Sequence, residues 1–130
     1  LKSLNLSGNP NVDNQVLGVL ANCPKLHKLD LTNCDQVTDV SALGDCASLQ
    51  ELDLTSCDEI TDVSTLGNLA NLHTLDLRGC NRVTDVSALA GCASLHKLDL
   101  SDTGVTDVSA LEGFTNVYML GWRWLIKSSN

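Results

Sequence analysis

The chain has 130 residues, 43% of them hydrophobic but only 3% aromatic, and a formal net charge of −8. Leu, Val and Ala must therefore fill the interior in narrow, regular layers, because aromatic side chains ordinarily supply much of the burial of a compact globule. The negative balance argues against a nucleic-acid backbone or an anionic membrane as partner, since Lys and Arg hold both, and no apolar run approaches the roughly 18 residues of a membrane span.

Read in chain order, five segments open alike: LKSLNLSGN from Leu1, LHKLDLTNC from Leu26, LQELDLTSC from Leu49, LHTLDLRGC from Leu72 and LHKLDLSDT from Leu95. A looser sixth, VYMLGWRW, begins at Val117. The steps are 25, 23, 23, 23 and 22 residues. Self-similarity at such a period marks a solenoid, in which each unit buries its apolar face only against its neighbours. Residues 1–130 thus read as one repeat domain. It opens at Leu1, inside a unit and without Met, as expected for a fragment of a longer chain.

Within a unit, Leu29 and Leu31 lie two apart and point to one side of a strand, while Asp30 points to the other. Stacked units form a parallel sheet on the concave side. The stretch that follows is VTDVSAL or ITDVSTL in units two to five. Val37, Val40 and Leu43 recur every three residues, the spacing of a short helical or 3₁₀ turn on the convex side. Asp39, Asp62, Asp85 and Asp107 precede these turns and can cap their free N–H groups. The first unit carries the longer NVDNQVLGVLANCPKL, with Val12, Leu17, Leu20 and Cys23 on the inward face. Gly44, Gly67 and Gly91 read as turn residues.

The six cysteines follow the period. Cys34, Cys57 and Cys80 lie 23 apart, Cys23, Cys46 and Cys92 at multiples of 23, and no pair has C-x-x-C spacing. They read as free, buried thiols and not as metal ligands or a disulfide framework. Free thiols fit a reducing, cytoplasmic compartment.

The pattern L-x-x-L-x-L-x-x-N/C, matched five times in succession, resembles the leucine-rich repeat family along nearly the whole chain. The resemblance implies an α/β solenoid with strands on the concave face and short turns on the convex one. It also implies that Cys34, Cys57 and Cys80 take the place of Asn9, in the turn after the strand, and bond to neighbouring coils. Units two to five look like the short repeats of phosphatase regulators and bacterial internalins. The first unit resembles the cysteine-containing repeats of F-box proteins, and Cys at the Asn position is also similar to eukaryotic repeat proteins of trypanosomatids and other protists.

Function is expected on the outward strand positions, the third, fifth and seventh of each unit. The fifth runs Asn5, Asp30, Asp53, Asp76, Asp99 and Gly121, a row of four aspartates. At ~5 Å, neighbouring like charges repel by about 1 kcal/mol in water. Lys28, Arg78 and Lys97 can offset this row, and Glu51 adds to it. The row reads either as a stripe that recruits a basic surface or peptide, or as solvated aspartates ordinary for such repeats. An even row on a flat sheet does not wrap a cation. His27, His73 and His96 share the second position, with Gln50 interrupting them. They read as polar residues at the edge of the face, and neither a nucleophile motif nor a phosphate loop accompanies them.

The expected function is therefore protein binding, without catalysis, cofactor or metal. The expected binding surface is Lys28, Asp30, Glu51, Asp53, Asp76, Arg78, Lys97 and Asp99. Two alternatives are a structural subunit of a large assembly and the substrate-recognition arc of a ubiquitin ligase. Trp122 and Trp124 break the pattern and could cover the last layer or dock another subunit.

Overall fold

The computed structural model describes residues 2–114 and 117–121. Each unit contributes one three-residue strand: β1 (Ser3–Asn5), β2 (Lys28–Asp30), β3 (Glu51–Asp53), β4 (Thr74–Asp76), β5 (Lys97–Asp99) and β6 (Tyr118–Leu120). The strands form one parallel sheet in sequence order. Register follows the repeat, with Leu4, Leu29, Leu52, Leu75 and Leu98 side by side. In the last pair Leu98 meets Met119 and Asp99 meets Leu120. Spacing alone puts Gly121 beside Asp99, so the ladder there sits one residue earlier than expected.

The return segments differ as their lengths do. The long first unit forms a true α-helix, α1 (Asn14–Leu20), with Asp13 as N-cap accepting from the N–H groups of Gln15 and Val16. The shorter units form 3₁₀ turns at Ser41–Asp45, Ser64–Asn68, Ser87–Gly91 and Ser109–Leu111. A 3₁₀ turn brings every third residue to one side. Of the three residues expected on such a turn only Leu43 lies in it, because the turn starts at Ser41; Val37 and Val40 belong to the segment that leads into it, yet all three are fully buried with Leu29, Leu31 and their counterparts in one continuous core. Each such Leu stabilises the fold by about 1.5–3 kcal/mol.

The aspartates before the turns act as their spacing implies. Asp39, Asp62, Asp85 and Asp107 accept from the N–H groups of Ser41, Ser64, Ser87 and Ser109 at 2.8–2.9 Å. Hydrogen bonds from the serine two residues on hold the Asp62, Asp85 and Asp107 carboxyls below the usual aspartate range. The serine amide contributes most at Asp62 and Asp85, followed by the hydroxyl, and at Asp107 the order is reversed.

Close approach between coils rests on two devices. The eighth residue of each of the first five units is left-handed: Gly8, Asn33, Ser56, Gly79 and Asp102, with φ of 57–79°. Gly44, Gly67 and Gly91 serve another purpose, since none of them is left-handed. A Cβ on Gly67 would lie 2.2 Å from the carbonyl oxygen of Ala88, and one on Gly91 2.6 Å from that of Gly67. These glycines let adjacent 3₁₀ turns touch backbone to backbone, and their conformational freedom is not what is used.

The cysteines join the coils. The thiols of Cys34, Cys57 and Cys80 donate to the carbonyl oxygens of Leu6, Leu31 and Leu54, each on the preceding coil, at 3.0–3.1 Å. Cys92 donates likewise to Leu66. All six are free, and only Cys23 is partly exposed. Burial pushes the Cys57 and Cys80 thiols up to about 12 and Cys92 to about 11.

Two outcomes are expected. Under native conditions an aqueous thiol reagent should modify Cys23 alone, the other five reacting only after denaturation. Rapid native labelling of Cys57 or Cys80, read by mass spectrometry, would contradict the burial described. The second concerns acid. Because the folded-state values of Asp62, Asp85 and Asp107 are lowered, their contribution is present above the ordinary aspartate value of about 4 and is lost as pH falls through the lowered ones. The thermal midpoint should therefore drop on acidification through that range, and less steeply in an Asp62→Asn, Asp85→Asn, Asp107→Asn variant. Equal slopes would remove these carboxylates from the account.

Candidate functional site

Alternation along each strand decides which side chains face outward. Leu at the fourth and sixth positions points into the core, so the third, fifth and seventh line the opposite face. The register then sets these positions in rows across the sheet. The third runs Ser3, Lys28, Glu51, Thr74 and Lys97, and the fifth Asn5, Asp30, Asp53, Asp76 and Asp99. All of these but Asp99 line an open trough of about 380 Å³ that reaches from Ser3 on β1 to Lys97 on β5. Lys28, Glu51, Lys97 and Arg78 are exposed, and Asp30, Asp53 and Asp76 are half-buried. Asp99 is buried, at 7% exposure.

The aspartate row has an internal role that its outward position conceals. Asp30 Oδ1 accepts from both the amide and the hydroxyl of Thr32, at 2.9 and 2.7 Å. Asp53 does the same with Thr55, at 2.9 and 2.6 Å. Asp76 and Asp99 accept from the amides of Arg78 and Ser101 at 2.9 Å. Asn5 accepts equivalently from the amide of Ser7. This is the local bond by which Asx side chains close a turn two residues on. It ties down one carboxylate oxygen where the chain leaves the strand. The other oxygens of Asp30, Asp53 and Asp76 accept no hydrogen bond among the described residues.

The cations do not neutralise that row. Lys28 pairs with Glu51 along the third row, at 3.6 Å and with both side chains about half exposed. Such an exposed pair contributes about 0–1 kcal/mol. Of the cations expected to pair with flanking carboxylates, Lys28 does so, with Glu51 and not with an aspartate of the row. Long side chains reach the neighbouring strand at the same position more readily than the short carboxylate two residues along. Among the described residues, Arg78 and Lys97 form no ion pair, and the other pair joins Arg82 to Glu59 outside the trough. Five carboxylates, counting Glu51, face three cations on this surface.

Other expected residues fall as follows. His27 is half-buried, while His73 and His96 are exposed neighbours with ring centroids 5.2 Å apart. Trp122 and Trp124 lie outside the described residues. One residue without a role in the sequence reading is Asn14. Its side-chain oxygen accepts from the amides of Thr38 and Asp39, and its amide donates to the Thr38 hydroxyl, at 2.8–3.1 Å. Asn14 thereby joins the helix of the first unit to the segment that leads into the first 3₁₀ turn. No local pattern announces a partner 24 residues away. The Asp or Asn that ends each of the first five strands, by contrast, is a readable sign of the Asx turns, since the bond goes to the backbone N–H two residues on whether that residue is Thr, Ser or Arg.

Comparison with known proteins agrees with this geometry. Residues 47–91 match the family model described as leucine-rich repeats in two copies. Residues 22–43 and 91–112 each match a leucine-rich repeat model. The matched segments together span more than half of the chain. No curated protein matches it. Among solved structures, an internalin of Listeria monocytogenes, internalin F, is 27% identical over 92% of this chain, with a TM-score of 0.70. Internalin C2 of the same bacterium is 29% identical over 92%, with a TM-score of 0.60. The chain spans only 40% and 60% of the lengths of these two proteins. A leucine-rich repeat protein of Leptospira interrogans shares the fold at 20% identity, with a TM-score of 0.73, over 95% of this chain and 37% of its own.

The turn-closing role of the aspartates can be measured. Asp53→Ala should cost about 1–2 kcal/mol in chemical denaturation, because it strands the Thr55 amide and hydroxyl. Asp53→Asn keeps an accepting oxygen, as Asn5 does, and should stay within about 0.5 kcal/mol of the parent. Equal losses in the two variants would show that charge, and not the turn bond, is what the fold needs.

Proposed function

The chain belongs to the leucine-rich repeat proteins, and from that premise we propose that its concave strand face is a non-catalytic protein-binding surface for a basic segment of a partner. Leucine-rich repeats generally act in protein–protein interaction. The observation that carries the finer reading is the half-tethered aspartate row. Each of Asp30, Asp53 and Asp76 is held by its turn through one oxygen and keeps the other without a hydrogen bond among the described residues.

A carboxylate fixed in this way loses little rotamer entropy when a partner arrives, so more of each contact remains as affinity. The in-register sheet holds the row at the strand spacing of about 4.8 Å. A partner Lys or Arg laid across the strands relieves the repulsion between neighbouring carboxylates as it binds. The trough around them is open, with charged side chains beside Leu4, Leu29 and Leu52, which suits an extended polypeptide more than a compact apolar ligand. Arg78 and Lys97 at its margins favour acidic residues flanking the basic ones, and so contribute specificity by charge.

The test uses a variant that leaves the turns closed. Asp53→Asn with Asp76→Asn should weaken binding of a short Lys- and Arg-rich peptide by roughly three- to tenfold at low salt, and by less at ~0.15 M salt. Amide shifts in the parent should cluster on Thr55, Thr74 and Arg78. Unchanged affinity, or shifts confined to the convex turns, would refute the reading.

A further inference from the structure

The second position of a unit is where the chain turns into its strand, and in units two to five it holds His27, Gln50, His73 and His96. His96 donates its backbone N–H to the carbonyl of His73 at 2.8 Å, so the two residues start neighbouring strands in register. Their rings lie 5.2 Å apart between centroids, inclined at 70°. Two imidazoles bound to one tetrahedral ion, each at about 2.0–2.1 Å, have centroids about 5 Å apart. The backbone has thus brought the two ring centroids to a separation that fits a shared ion.

A second feature prepares one of them as a ligand. His96 Nδ1 bonds to the carbonyl oxygen of Ser94. A carbonyl only accepts, so Nδ1 carries the hydrogen and the neutral ring presents the lone pair of Nε2. Histidines that bind metals are ordinarily fixed in this manner, by a carbonyl or carboxylate behind the ring. Both side chains are exposed, so an ion reaches them from solvent without any opening of the fold.

From these observations we propose that His73 and His96 form a two-histidine surface site for one divalent ion of the zinc and copper class. Imidazole nitrogens favour these ions over magnesium and calcium, which take oxygen ligands. Among the described residues no group of three or more His, Cys, Asp or Glu side chains converges on a point. The site is therefore bidentate, and solvent completes the coordination. His27 lies two strands from His73, beyond Gln50, at about 10 Å. It is too distant to share the ion and serves as an internal control. This site stands at the start of the strands and does not depend on the aspartate row or on a protein partner.

The experiment is a calorimetric titration of the tag-free protein with zinc chloride in a non-coordinating buffer, repeated with copper(II) chloride. The parent should take up one ion per chain saturably. Loss of a group that merely orients a ligand costs about 10–100-fold in affinity, so His73→Gln or His96→Gln should each weaken binding at least about tenfold. His27→Gln should leave it unchanged. In the parent, zinc should shift the ring NMR signals of His73 and His96 together and spare those of His27. This reading needs no variant to fold. The proposal fails if no one-to-one uptake is seen with either ion, if His27→Gln is as damaging as the other two, or if only one of the two rings responds.

Discussion

No coil of this chain can bury its own leucines. A three-residue strand with a short return segment leaves Leu29, Leu31, Val37, Val40 and Leu43 covered only when another coil lies against each side, and they are fully or almost fully buried. Stability is therefore a property of the stack, built from interfaces between neighbours. Some of what recurs every 23 residues closes turns within a coil, and the rest holds one coil at strand spacing from the next. The left-handed eighth residue turns the chain out of the strand, and Gly67 and Gly91 let the convex turns touch.

Such a stack creates a polar problem that the sequence solves with small side chains. Carbonyls at the turns have capacity for a second hydrogen bond and are buried away from water. The Leu31 carbonyl accepts from its own coil's Cys34 amide and from the Cys57 thiol of the next. A thiol supplies a donor in a volume that still packs as a hydrophobe. Desolvation raises its pKa, so the same cysteines are poor nucleophiles. The outward aspartates also serve twice. One oxygen closes the turn, and the other stays on the face where binding is proposed. The turn bond by itself accounts for the aspartate period, and the proposed binding would use the oxygen that the turn leaves over.

The architecture was legible because its signal is periodic. The recurring apolar pattern specifies the strands, the inward leucines and the burial of Val37, Val40 and Leu43, although the 3₁₀ turn itself begins only at Ser41. The caps of Asp39, Asp62, Asp85 and Asp107 were readable because an Asx bond spans two residues and needs only local geometry. The sixth unit was harder. Its pattern is loose, and the ladder places Leu120 rather than Gly121 beside Asp99. The role of the glycines was hidden for a related reason. Gly67 is required by the carbonyl of Ala88, a neighbour 21 residues along, and a turn motif says nothing about that contact.

The sequence by itself determined the solenoid, its period, the side of each residue and the sign of the concave face, because alternation and repetition act within a unit. Tertiary structure alone decided which charges meet. It paired Lys28 with Glu51 instead of an aspartate and left Arg78 and Lys97 without ion pairs among the described residues. It also joined Asn14 to the next coil and brought the rings of His73 and His96 to 5.2 Å. These contacts depend on the distance and rotamers between adjacent coils. Residues 23 positions apart in the chain carry no local trace of that distance.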